Sequence, residues 1–217
     1  MRALLFDLDN TLYPEADYFR AIFSQFSQNE GLDPERFAFL FKDFDQIRFT
    51  QRDIFRYALN QASEFSEARH QALFELFVGI RCELNAYKGL QELIDWAFSH
   101  NLRIGVLTNG HIEAQSNKWN CLKLEGKQHI RFAPARLLGA DKPAALSFEE
   151  MMIQMGCRAE ETLFIGDRFS NDIEWGVNQG GRGALVNAHE KGNRVPAFES
   201  FSELLGWMKG FDLTKSI

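Results

Sequence analysis

The chain has 217 residues, 45% of them hydrophobic and 25% charged, with a formal net charge of −6; this suits one sizeable soluble domain, or a core with an insertion. The acidic balance argues against nonspecific nucleic-acid binding, which requires a basic face to displace counterions from phosphates, and no nucleic-acid partner is expected. Cys82, Cys121 and Cys157 form no Cys-x-x-Cys pair, so neither a disulfide framework nor a structural zinc site is expected. No apolar run reaches the roughly 18 residues that span a bilayer, and Asp7 and Asp9 interrupt the first run too early for a signal peptide. The expected setting is cytoplasmic, without a membrane partner.

Ala3-Leu4-Leu5-Phe6 opens the chain as a short, continuous apolar run, the pattern of a strand buried on both faces. From residue 14 to 87 the pattern changes to helical spacing, as in Phe19, Ile22, Phe23 and Phe26. Asp33-Pro34 marks a helix start, with a capping side chain followed by proline in the first turn. Thr50 with Asp53 predicts another start, as a variant capping box. Twelve of the 21 phenylalanines fall in this stretch, and their most economical use is the core of a small helical bundle. Leu90, Leu93, Ile94 and Ala97 then predict a helix, and Ile104–Leu107 a second buried strand. Ile130-Arg131-Phe132 offers a further strand. Phe148, Met151, Met152 and Met155 predict a helix, followed by strands at Thr162–Ile165 and Ala184–Val186. Phe201, Leu204, Leu205 and Met208 share one face of a last helix expected to pack on the sheet. Strands alternating with helices imply right-handed crossovers and an α/β doubly wound parallel sheet.

The chemistry-bearing residues cluster where strands end. Asp7-Leu8-Asp9-Asn10-Thr11 follows the first strand, and carboxylates two apart project the same way if the backbone stays extended. Such a pair repels unless a cation or proton intervenes. At the carboxyl end of a central strand it occupies the place where α/β sheets bind ligands. Alone, the pair reads equally well as an acidic loop capping the next helix. It is followed by Thr108-Asn109-Gly110 after the second core strand, by Lys142-Pro143 before a later helix, and by Gly166-Asp167 and Asn171-Asp172 after Thr162–Ile165. A nucleophile, an acid/base, hard oxygen ligands and cationic or hydroxyl clamps are the parts phosphoryl transfer requires.

These segments, Asp7-Leu8-Asp9-Asn10-Thr11-Leu12-Tyr13, Leu107-Thr108-Asn109-Gly110, Asp141-Lys142-Pro143 and Gly166-Asp167-Arg168-Phe169-Ser170-Asn171-Asp172-Ile173, resemble the four signature motifs of the haloacid dehalogenase superfamily. The resemblance implies a Rossmann-like core, residues 1–13 and 88–217, with an all-α helical cap at 14–87. It implies that Asp7 attacks phosphorus and that Asp9 protonates the leaving oxygen and later activates water. It further implies that Thr108, Asn109 and Lys142 hold the substrate's phosphoryl group, with Thr108 and Lys142 acting in catalysis. Magnesium would be held by Asp7, Asp167, Asp172 and the backbone carbonyl of Asp9. The superfamily's dehalogenases lack the second aspartate, so Asp9 favours phosphate-ester hydrolysis. The opening motif with a helical cap is similar to small-metabolite phosphatases such as pyrimidine 5′-nucleotidases, and the partner implied is a small phosphorylated metabolite, such as a nucleoside or sugar monophosphate, met by a monomer or homodimer. A phosphomutase on the same fold and a catalytically idle phosphate-sensing protein are the alternatives.

Other reactive residues have plainer readings. Cys82 and Cys157 suit apolar packing better than nucleophilic attack. His111 suits a helix start or the surface, Arg48 and Arg52 a solvated helix face, and Arg168 the local field beside Asp167.

Overall fold

Strand signals at regular intervals meet in a six-stranded sheet. The computed structural model describes residues 1–188 and 194–211. Six strands, β1 (Ala3–Phe6), β2 (Arg103–Thr108), β3 (Arg131–Pro134), β4 (Thr162–Gly166), β5 (Arg182–Val186) and β6 (Ala197–Phe198), form a parallel sheet in the order β3-β2-β1-β4-β5-β6. The α/β doubly wound architecture read from the sequence is present, including the strand beginning at Arg131. Each central strand is apolar on both faces because helices cover both. Ala3 and Leu5 of β1 join a buried cluster with Phe148, Met151, Met152 and Met155 of the helix Ala145–Met155. On the opposite face, Phe6 meets Phe201 of the helix Phe201–Met208, with ring centroids 6.3 Å apart. The strand order reverses at β1, which lies between β2 and β4. Phe6 is in register with both Val106 and Ile165, so the loops after β1, β2 and β4 leave the sheet along one carboxyl edge.

The chain divides into two compact units, residues 1–14 with 85–217, and residues 15–84. The second unit is helical: Glu15–Glu30, a 3₁₀ segment Pro34–Lys42, and helices Phe44–Thr50, Ile54–Gln61 and Glu67–Gly79. Asp33 caps as expected, accepting a hydrogen bond from the Glu35 amide at 3.0 Å. Thr50 does not open the next helix. It ends the preceding one, its hydroxyl donating to the Gln46 carbonyl at 2.9 Å, and Asp53 alone caps Ile54–Gln61 by accepting from the Arg56 amide. A threonine hydroxyl within reach of a carbonyl one turn back bonds there.

Phe19, Phe23, Phe26, Phe37, Phe44 and Phe55 are buried and form this unit's core, with close ring contacts such as Phe23–Phe37 at 4.9 Å and Phe19–Phe44 at 5.2 Å. Phe49 and Phe65 do not join it: Phe49 is 74% exposed. No described helix is long and apolar enough to cross a membrane.

Candidate active site

Asp7 continues the extended path of β1 by one residue, its amide donating to the Ile165 carbonyl at 3.0 Å. The chain then turns, with Asn10 in the left-handed region at φ 58°, a conformation asparagine tolerates better than most residues. The Leu12 amide closes the turn on the Leu8 carbonyl, and the Thr11 hydroxyl faces Asp7 at 3.5 Å. After β4, Asp167 lies one residue beyond the strand, and Asp172 returns from a single π-type turn, Phe169–Ile173. Gly166 makes that return possible: a Cβ there would lie 2.4 Å from the Cβ of Asp172.

The result is a buried acidic cluster. Asp7, Asp167 and Asp172 each offer a carboxylate oxygen, and these lie within 4.8 Å of one another. The Lys142 ammonium bridges two of them, at 2.7 Å from Asp7 and 2.6 Å from Asp172. Asp172 also accepts from the Arg168 amide at 3.1 Å and the Asn171 side chain at 3.0 Å. Burial, followed by the like charges around it, keeps the Asp7 carboxyl up at about 7 against the pull of Lys142. Burial and repulsion from Asp7 and Asp172 push Asp167 up to about 8. Burial alone would lower Lys142, but attraction to Asp172 and Asp7 outweighs it and raises the ammonium above its ordinary range. Hard oxygens gathered this closely, with excess negative charge, have the donor chemistry of a magnesium site.

Asn109 connects this cluster to β2. Its side-chain oxygen accepts from the Lys142 amide at 2.7 Å and its Nδ2 donates to the Lys142 carbonyl at 2.8 Å. Thr108 is buried at the same strand end. The residues singled out from the sequence, Asp7, Asp9, Thr108, Asn109, Lys142, Asp167 and Asp172, all lie in or beside this one edge.

Four further residues complete the arrangement and were not anticipated. Thr11 is the first. Tyr13, fully buried, donates to Asp9 Oδ1 at 2.6 Å. Gln115 Nε2 donates to Asp9 Oδ2 at 2.8 Å and lies 2.7 Å from the Thr108 hydroxyl. Lys118 Nζ lies 2.8 Å from Asp9 Oδ2, with its side chain 1% exposed. Burial pushes the Asp9 carboxyl up, but the Lys118 charge and the bonds from Lys118, Tyr13 and Gln115 bring it below the usual carboxylate value. A signal for the last two was present: Ala114, Gln115, Lys118 and Trp119 form the buried face of the helix Ile112–Cys121, and two polar residues on a core-facing stripe require a partner.

Arg48 pairs with Glu15 at 3.4 Å within the helical unit, and Arg52 is exposed. Arg168 lies 3.8 Å from Asp167. His111 stands at the N-terminal boundary of Ile112–Cys121 without a side-chain cap bond. Cys157 is buried, and burial raises its thiol; Cys82 is half-buried.

The sequence pattern of the haloacid dehalogenase-like hydrolases matches residues 4–186. The chain belongs to this family. A curated relative, glyceraldehyde 3-phosphate phosphatase of Methanothermobacter thermautotrophicus, is 33% identical over 92 residues, which span 42% of this chain and 39% of that protein. Among solved structures, a putative β-phosphoglucomutase from Thermotoga maritima superposes with a TM-score of 0.68 at 16% identity, covering 96% of this chain and 99% of the other. A 2-haloacid dehalogenase from Pseudomonas syringae superposes at 0.61 with 22% identity over 96% and 99% of the two chains. A mutase and a dehalogenase among the neighbours on one fold mean that backbone likeness does not assign the reaction; side chains at the site must.

Proposed function

We propose that this hydrolase is a magnesium-dependent phosphatase acting on a small phosphorylated metabolite through an aspartyl-phosphate on Asp7. The observation that carries the reading is the convergence of Asp7, Asp167 and Asp172 within 4.8 Å beside the Lys142 ammonium. A second carboxylate, Asp9, lies two residues from the nucleophile. In this reading Asp7 forms a bond to phosphorus as the ester P–O bond breaks. The electron pair goes to the leaving oxygen, which takes a proton from Asp9. Water then bonds to phosphorus and passes a proton to Asp9, and the acyl-phosphate P–O electron pair returns to Asp7. Lys142 and Thr108 stabilise the phosphoryl oxygens, and Asn109 sets the position of Lys142. Magnesium, held by Asp7, Asp167, Asp172 and the Asp9 carbonyl, supplies Lewis-acid neutralisation of phosphoryl charge when bound.

The carboxyl-edge residues belong to the α/β unit, so the helical insertion is assigned substrate choice and water exclusion. The relative named for glyceraldehyde 3-phosphate supports a sugar phosphate or another small monophosphate as substrate. A panel of about a hundred phosphorylated metabolites, assayed for released phosphate with magnesium and with EDTA, tests the proposal. One or a few compounds should release phosphate only with the metal, and rapid quench should recover phosphate on Asp7. Transfer of label to a sugar acceptor instead of water would assign a mutase. No release from any compound, or release unchanged in Asp7→Asn, would overturn the reading.

A further inference from the structure

Asp9 is held on both oxygens, and two of the three residues that hold it lie outside the signature motifs. Tyr13 occupies Oδ1, and Gln115 and Lys118 converge on Oδ2 from successive turns of one helix. Gln115 also contacts the Thr108 hydroxyl, so a single amide touches both Asp9 and Thr108. Gly110, at φ 130°, lets the chain pass this amide: a Cβ there would approach the Gln115 side chain to 3.2 Å. Burying a lysine and a glutamine on a core-facing stripe costs several kcal/mol without partners, and Lys118 is as buried as Thr108 itself, each 1% exposed. A purely structural stripe would be apolar at these two positions.

We propose that Gln115 and Lys118 are positioning residues for the reaction, fixing the direction of the Asp9 carboxyl toward the leaving oxygen and setting its distance from the Thr108 hydroxyl. The proposal rests on Asp9 being the acid that protonates the leaving group. A donor displaced by about an ångström loses on the order of a hundredfold in rate, and the loss falls on substrates whose leaving oxygen needs the proton. Good leaving groups depart as anions and are indifferent to it.

The test is kcat/KM, which reports phosphoryl transfer to Asp7, across 2,4-dinitrophenyl, 4-nitrophenyl and phenyl phosphate. Lys118→Met and Gln115→Met are compared with wild type and Asp9→Asn, with melting temperature measured for each. Both variants should lose at least about tenfold more on phenyl than on 2,4-dinitrophenyl phosphate, within the range expected for general acid catalysis. Combining either with Asp9→Asn should add no further dependence on the leaving group, because the residue acts through Asp9. Gln115→Met removes no charge and carries the test should Lys118→Met fail to fold. Equal losses on all three substrates, alongside a steep series for Asp9→Asn, would overturn the positioning role alone. A flat series for Asp9→Asn would remove the acid role of Asp9 and this proposal with it.

Discussion

The two units bury different things. Among the described residues, the buried polar side chains of the α/β unit are Asp7, Thr11, Thr108, Gln115, Lys118, Lys142, Ser147, Thr162, Asp167 and Asp172; the helical unit buries only Glu15 and Ser27. The helical unit's core is instead a packed group of phenylalanine rings. Burying a charge is unfavourable unless it is paired, and several together are tolerated only where each supports another. The difference therefore separates residues retained for chemistry from residues retained for packing. Substitutions should sort accordingly: large effects on activity with small effects on stability at the sheet edge, and the reverse among the rings.

The largest expected effect is on Asp7. Asp7→Asn supplies neither a nucleophile nor an anionic ligand, and turnover should fall by about a thousandfold or more while circular dichroism remains native. Retention of more than a few per cent of wild-type phosphate release would break the comparison at its strongest point.

The acidic cluster should next reveal itself through stability. Asp7 and Asp167 are raised from 3.8 to about 7 and about 8, so the folded state binds their protons more tightly than the unfolded state. Their contribution is fully present below about 3.8, falls steadily as pH rises above that value, and is gone once pH has passed 7 to 8. Metal-free protein should thus lose stability across that interval, and Asp167→Asn should flatten the loss, melting at or above wild type in EDTA near pH 8. Magnesium at a hundredfold excess over its dissociation constant should add about 2.7 kcal/mol to wild type, a rise of roughly 5–10 °C in Tm. Asp167→Asn should gain little. Calorimetry with and without the metal reads both effects; a variant that is less stable in EDTA yet keeps the full magnesium gain would make Asp167 a structural acid.

In the helical unit, Phe23→Leu should cost about 1–2 kcal/mol by removing ring contacts from a closed core, with kcat within about twofold of wild type. Denaturant melts and steady-state assays of the same preparation check the pair of values. The smallest effect belongs to Phe49, 74% exposed, where Phe49→Ser should move stability by less than about 0.5 kcal/mol.

Most of this organisation was legible in the sequence because period and position carry it. Apolar runs ending in acidic or hydroxyl residues located β1, β2 and β4 and their loops, and helical spacing located helices between Glu15 and Gly79. The unanticipated residues were hidden for a physical reason. Gln115 and Lys118 carry no strand-end signature, and their meaning depends on Asp9 lying opposite, 106 and 109 residues earlier in the chain. Tyr13 was visible as part of a motif, but its bond to Asp9 arises from the turn at Asn10. Thr50 was misplaced because a hydroxyl before an acidic residue fits both the end of one helix and the start of the next, and only the reach of its oxygen to Gln46 decides.

The paired bonds between Asn109 and the backbone of Lys142 have a consequence for how such a site can be altered. A side-chain amide that spends both its donor and its acceptor on one residue's peptide groups acts as a staple between two loops 33 positions apart. Neither loop can then be redesigned, transplanted or drift in sequence alone, since the lysine's position is specified from the far loop as much as from its own. The two loops behave as one exchangeable part, and a graft that takes Lys142 without Asn109 carries the charge but not its address.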